Sequence, residues 1–174
     1  MTVTEAIRAR RSIRKFKPGA VVTDEQIRLL LEAAMLAPSA CNTRPWEFIV
    51  VKDRAMLDKI RDAHPYTGML ETASLAIIVI ALPESQETVR DGLPKGFYPQ
   101  DCGAATQNIL LQAVELGLGT CWCRVCPKEP RIAEIRELFK ISTEKLPFCV
   151  IAVGVPNEDP EPRGSYEESK VSNI

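Results

Sequence analysis

A chain of 174 residues, 45% hydrophobic and 26% charged, is long enough for one domain with a sizeable core and too short for two ordinary ones. Its formal net charge of −1 and pI near 6.0 argue against a broadly basic nucleic-acid binder, and its longest apolar run, Leu75 to Leu82, falls well short of the roughly 20 residues a membrane-spanning helix needs. Charges at Glu5, Arg8 and Arg10 occupy the stretch where a secretion signal needs an apolar core, so the expectation is an unprocessed cytoplasmic protein whose six cysteines stay reduced.

Thr2-x-x-Glu5 has the form of a capping box and predicts a short helix from about Val3 to Ala9. Around and after its end stand Arg8, Arg10, Arg11, Arg14, Lys15 and Lys17, a concentration of positive charge in a balanced chain that suggests a local anion site. A second box, Thr23-x-x-Gln26, opens a helix with Ile27, Leu30, Leu31, Ala34 and Met35 on one face, and Pro38 stops it. Glu47 to Val51 reads as a strand and Met56, Leu57 and Ile60 as one face of a helix. The continuous β-branched run Leu75 to Leu82 reads as a central strand buried on both faces.

From Asp101 to Leu116 the pattern is helical, but Ala104, Ala105, Ile109, Leu110, Leu111, Ala113 and Val114 cover most of the circumference. A helix so apolar needs burial on all sides, which in a small domain points to a second copy of the chain. Gly117 and Gly119 lead into Thr120 to Arg124, a strand or extended turn; Ile132, Ile135, Leu138 and Phe139 mark a further helix and Phe148 to Val155 a last buried strand. Residues 155–174 carry five acids against two bases, as a tail that is either disordered or lies across another surface. There is no internal repeat and no linker, so residues 1–174 are expected to form a single domain.

Cys121, Cys123 and Cys126 lie close in sequence, but a zinc site needs four ligands and the single histidine, His64, is far away. Alternation along a strand puts Cys121 and Cys123 on one side with Trp122 opposite. They read as small buried residues, and no metal is expected. Cys41, Cys102 and Cys149 read as packing, and His64 as a turn residue before Pro65 rather than a base.

Three segments could carry chemistry. Arg10-Arg11-Ser12-Ile13-Arg14 could converge several donors on one phosphate, or be a solvated helix end complementing the macrodipole. In Pro38 to Trp46, two prolines fix a loop bearing Ser39, Asn42 and Arg44; a plain helix-to-strand turn anchored by Trp46 has the same composition. Gly117 to Val125 could let a flat ligand approach the backbone, although its glycine spacing is not the dinucleotide fingerprint and a helix C-cap also explains Gly117.

In this order, Arg10-Arg11-Ser12-x-Arg14, Pro38-Ser39-x-x-Asn42-x-x-Pro45-Trp46, Asp101-x-x-Ala104-x-x-Gln107-Asn108-x-Leu110-Leu111 and Gly117-Leu118-Gly119 resemble the nitroreductase family of FMN-dependent oxidoreductases, over essentially the whole chain. The resemblance implies an α+β fold with a central mixed β-sheet flanked by helices, and an intertwined homodimer with FMN at the interface. It implies that Arg10, Arg11, Ser12 and Arg14 bind FMN from one subunit, Arg10 and Ser12 towards the phosphate and Arg14 near the pyrimidine end. Pro38, Ser39, Asn42 and Arg44 would come from the other subunit. Trp122, Cys123 and Arg124 would run past the isoalloxazine, and Arg163 would close the phosphate site. NADH or NADPH would supply a hydride to flavin N5, and a nitroaromatic, quinone or similar flat acceptor would take two electrons by a ping-pong mechanism. The chemistry would lie in the cofactor, with no catalytic side chain.

Three features depart from the family pattern. Arg44 stands where Gln is usual, adding a positive charge; Arg124-Val125 replaces a frequent glycine; and the Tyr66 to Glu71 region has no clear match to the polar contacts other members supply. The alternatives are a flavin-binding protein of the same fold without nicotinamide-driven turnover, or a thiol or metal redox protein using Cys121, Cys123 and Cys126.

Overall fold

The computed structural model describes residues 1–83, 96–161 and 163–174. In chain order its main elements are α1 (Val3–Ala9), α2 (Asp24–Met35), β1 (Trp46–Val51), α3 (Arg54–Ala63), β2 (Leu75–Ala81), α4 (Tyr98–Glu115), β3 (Gly119–Arg124), α5 (Glu129–Phe139) and β4 (Leu146–Gly154). Both capping boxes form. Thr2 Oγ1 accepts from Glu5 N at 3.2 Å while Thr2 N donates to Glu5 Oε2 at 2.7 Å, and Thr23 and Gln26 repeat the exchange at α2. No described helix is long and apolar enough to cross a membrane.

The strands form one four-stranded sheet in the order β1-β2-β4-β3. Every pairing between them is antiparallel, where the sequence had suggested a mixed sheet. The reason is visible at β1 and β2: α3 and the short turn Gly68–Glu71 form two legs that return the chain to the end at which β1 finished, so Val51 lies opposite Ala76. Among the described residues, the parallel pairing is the isolated bridge between Ser12 and Thr120.

β2 is buried along its whole length because both faces of the sheet are covered. Ile77 and Val79 of β2 with Ile151 and Val153 of β4 pack under α2 and α4. Ile78, Ile80, Val150 and Ala152, with Cys121 and Cys123 of β3, pack against α3 and α5. α4 presses Cys102, Ala105, Ile109 and Ala113 into the core, whereas Ala104, Asn108 and Leu111 stay half-buried. Leu111 and Asn108 line a groove of about 490 Å³ shared with α1 and α2, and Val3, Ile7, Met35 and Leu36 are exposed nearby on those helices. The chain by itself thus buries α4 on one side rather than all round.

The outer edge of β3 is not left bare. The segment after α1 lies along it, with Ile13 N donating to Thr120 O at 2.8 Å, and then crosses the end of β4, where Lys17 N donates to Val155 O at 2.9 Å. Two glycines permit this. A Cβ on Gly119 would sit 2.9 Å from the Ile13 side chain, and one on Gly154 would sit 2.9 Å from the Phe16 ring.

Candidate active site

Alternate residues of an antiparallel strand direct their backbone groups to opposite sides. In β3, Thr120 O accepts from Ile13, and Arg124 O accepts from His64 Nε2 at 2.9 Å and Arg131 Nη1 at 3.2 Å, so both face the outer edge. Trp122, midway between them, directs its N–H and C=O to the same edge. This edge opens into a cleft of about 980 Å³ whose walls include Arg14, Tyr66, Met69, Trp122, Arg124 and Arg131. The Trp122 ring lies on the α4 side of the sheet, 6.2 Å from the Phe148 ring and close to Gly103.

His64 is fully buried and fixes the end of β3. Tyr66 N can only donate, and it reaches His64 Nδ1 at 3.2 Å, so the ring proton is on Nε2 and is given to Arg124 O. The expectation of a turn residue holds, with a second task added. Next to it, the Arg131 guanidinium stacks over the Tyr66 ring at 4.8 Å.

Cys121 and Cys123 lie on the buried side of β3 with Trp122 opposite, as alternation predicts. Cys123 Sγ reaches Tyr66 O at 3.2 Å. The Cys121 thiol is drawn down, first by the hydrogen bond from Cys123 and then by the positive charge of Arg14, against burial and the Glu158 carboxylate. The Cys123 thiol is pushed up by the same bond and by burial. Both side chains pack against the α3 and α5 layer, in keeping with a packing role.

The arginine segment is strapped by the C-terminal tail. Asn157 N donates to Lys15 O at 2.9 Å, and the Glu158 carboxylate accepts from the backbone of Arg14 and of Lys15. Arg11 gives Nε to Glu161 O at 3.3 Å and Nη1 to Arg10 O at 2.6 Å. The near part of the acidic tail therefore lies across another surface, and that surface is the basic segment. Arg163 is exposed, two residues beyond the Glu161 carbonyl.

The Pro38 to Arg44 loop is built differently. Cys41, Asn42 and Arg44 take φ of 50°, 56° and 50°, the left-handed region that costs a side-chain-bearing residue about 1–2 kcal/mol. Internal bonds hold the loop in that shape. Ser39 Oγ accepts from Arg44 N at 2.9 Å, Ala40 N donates to Asp101 Oδ1 at 3.2 Å, and Arg44 Nη2 donates to Met35 O at 2.8 Å. The Arg44 charge expected to add a positive group near the site is thus turned back onto the C-terminal end of α2, where the helix dipole favours a cation. Cys41, expected to pack, is exposed on this loop because its positive φ turns it out of the core. Trp46 is buried as the anchor.

The structure therefore brings Arg10 to Arg14 together with Trp122, Cys123 and Arg124 along one strand edge, and holds Pro38, Ser39, Asn42 and Arg44 apart. α4 stands between them: Asp101 takes the loop, and Gly103, on the opposite side of the helix, meets Trp122, so roughly one helix diameter, about 10 Å, separates the two. Tyr66 and Met69, from the region whose match to the family is open, line the cleft together with Lys128 and Arg131, which were not singled out in sequence, and neither was Glu158, which holds the backbone of Arg14 and Lys15. Pro65 and Gly68 mark the turn that delivers Tyr66, but no local signal announces the rest.

Comparisons with known proteins identify the family. The Nitroreductase family model matches residues 7–65 and 63–155. A Methanothermobacter thermautotrophicus protein named "Putative NADH dehydrogenase/NAD(P)H nitroreductase" is 46% identical over 171 residues, covering 98% of this chain and 86% of its own. The crystal structure of a Bacteroides thetaiotaomicron protein with the same name superposes with a TM-score of 0.88 at 38% identity, covering 98% of this chain and 96% of its own. A Desulfovibrio desulfuricans nitroreductase homologue, solved in complex with FMN, gives 0.82 at 30% identity, covering 100% and 97%. The family match runs through the strand edge, the loop and the long helix described above, and the chain belongs to the nitroreductase family.

Proposed function

We propose that this protein is an FMN-dependent NAD(P)H oxidoreductase that passes two electrons to a nitroaromatic, quinone or similar flat acceptor in ping-pong order, as a homodimer with its flavin sites between subunits. The observation that carries the reading is the stretch of the β3 edge at Trp122, between the covered Thr120 and Arg124, that faces the cleft. A flavin needs backbone partners along the edge of its ring and cations where its anionic groups lie, and the residues present fit that need. Trp122 offers N–H and C=O to the cleft, Arg14 stands in the same cleft, and Arg10, Arg11 and Ser12 adjoin it on one segment. The FMN complex of the Desulfovibrio desulfuricans relative supports the choice of flavin.

When bound, FMN would supply hydride acceptance and two-electron donation at N5. In this reading, Arg10, Ser12 and Arg163 hold the phosphate and Arg11 braces the tail. Arg14 stabilises negative charge at the pyrimidine end. Trp122, Cys123 and Arg124 carry the ring along the strand, with His64 holding the strand end. Pro38, Ser39 and Asn42 of a second copy close the site from its other side, and the half-buried strip of α4 with the exposed Val3, Ile7, Met35 and Leu36 is the surface on which that copy packs.

The protein should purify yellow, release FMN on denaturation, and bleach with NADH or NADPH in the absence of oxygen. Bound FMN that neither nicotinamide reduces would leave a flavin-binding protein; a colourless protein that takes up no FMN would refute the proposal. Arg10→Ala or Arg14→Ala should lose FMN while the dimer persists in size-exclusion chromatography. Wild-type affinity in both variants would overturn the placement.

A further inference from the structure

The cleft beside β3 holds more positive charge than the flavin reading uses. Besides Arg14, it is lined by Arg124, Lys128 and Arg131, and among the described residues no carboxylate lines it. Among the described residues, none of these three forms an ion pair. Lys128 and Arg131 also sit where a helix is least served by cations. Lys128 is the N-cap of α5, with no side-chain hydrogen bond to the helix, and Arg131 follows in the first turn. The helix dipole places partial positive charge there and favours acids, and Glu129 alone meets that preference in the first turn. Two cations on the wrong end of a helix weaken it unless something else is gained.

Arg131 is also held in place. Its guanidinium stacks on Tyr66 at 4.8 Å and donates to Arg124 O at 3.2 Å, which leaves further N–H groups of the planar fork unspent. A guanidinium fixed in this way loses little freedom when it takes a ligand, and a wall of one charge sign concentrates anions in the cleft.

We propose that Lys128 and Arg131, with the guanidinium of Arg124, form an anion subsite that selects molecules carrying a phosphate or carboxylate beyond the flat part that reacts. The proposal rests on the flavin reading for where the reacting part lies. Two sources could supply the oxyanion: the extra phosphate that distinguishes NADPH from NADH, or a carboxylate on the acceptor.

The test compares the holoenzyme with K128Q/R131Q in two arms. One arm measures NADPH against NADH with a neutral quinone; the other measures para-nitrobenzoate against para-nitrobenzyl alcohol with one donor. In at least one arm the double variant should raise KM for the anionic partner about tenfold while kcat, FMN content and KM for the neutral partner stay unchanged. Added salt should raise the same KM in the wild type and not in the variant. The arm that responds names the source. Equal shifts for charged and neutral partners, or none in either arm, overturn the subsite. Should the protein hold no FMN or not turn over, the flavin reading fails separately. Equilibrium dialysis of para-nitrobenzoate and para-nitrobenzyl alcohol then decides the subsite: preference for the anion, lost in K128Q/R131Q, supports it, and equal retention of both probes refutes it.

Discussion

The β3 edge and the Pro38 to Arg44 loop carry the same kinds of residue, arginine, serine and small polar groups just beyond a helix, yet they use them in opposite ways. At β3 the backbone of Trp122 and the charges of Arg14, Arg124 and Lys128 face a cleft. In the loop, Ser39 Oγ and the Arg44 guanidinium are spent on the loop's own backbone and on the end of α2. The first region offers its charges to a ligand, and the second spends its charge on holding a strained shape, which fixes how Pro38 to Asn42 are presented to a second copy. What distinguishes them is where the hydrogen bonds go, since composition is nearly alike.

The comparison breaks most easily at Phe16, which is 1% exposed and clamps the arginine segment across Gly154. Phe16→Ala should cost about 3–5 kcal/mol in denaturant unfolding and release FMN as the segment leaves the sheet. Gly119→Ala forces Ile13 away from β3 and should cost about 1–3 kcal/mol, again with weakened flavin retention. Arg44→Ala should do the reverse, lowering stability by about 0.5–1.5 kcal/mol with little change in FMN affinity, because its guanidinium serves Met35 O. Loss of flavin at full stability in that variant would make Arg44 a ligand-facing residue after all.

The smallest effect at neutral pH concerns the thiols under α4. Burial pushes the Cys102 thiol up to about 12 and raises that of Cys149. A raised folded value means that the folded state keeps protons the unfolded state loses. The contribution is therefore complete below the ordinary thiol range near 9 and declines as pH rises towards 12. Thermal melts of Cys102→Ala should fall less steeply across that alkaline window than those of the wild type, and identical slopes would remove the thiol from the account.

Much of this was legible in the sequence because it is local. The two capping boxes, the continuous run of β2 and the Cys121-Trp122-Cys123 alternation each specify their own geometry within a few residues. What escaped notice depends on distant parts of the chain. Glu158 meets Arg14 and Lys15 only because β4 ends beside the arginine segment, and Arg131 reaches Tyr66 only because α5 and the turn after α3 share one face of the sheet. The direction of Arg44 was hidden for the same reason. A side chain that reads as free charge in sequence is decided by which carbonyl the fold places within its reach.

The central proposal is that one flavin site joins the β3 edge of one copy to the Pro38 to Asn42 loop of another, and subunit complementation tests it most directly. Arg10→Ala and Asn42→Ala chains, each expected to bind FMN poorly alone, are co-expressed with different tags and the mixed dimers isolated. If the two halves come from different chains, one site in each mixed dimer is wild type and the other doubly defective, so FMN should return to about half of the sites. If both halves belong to the same chain, every site keeps one defect and mixing restores no FMN, which would contradict the account.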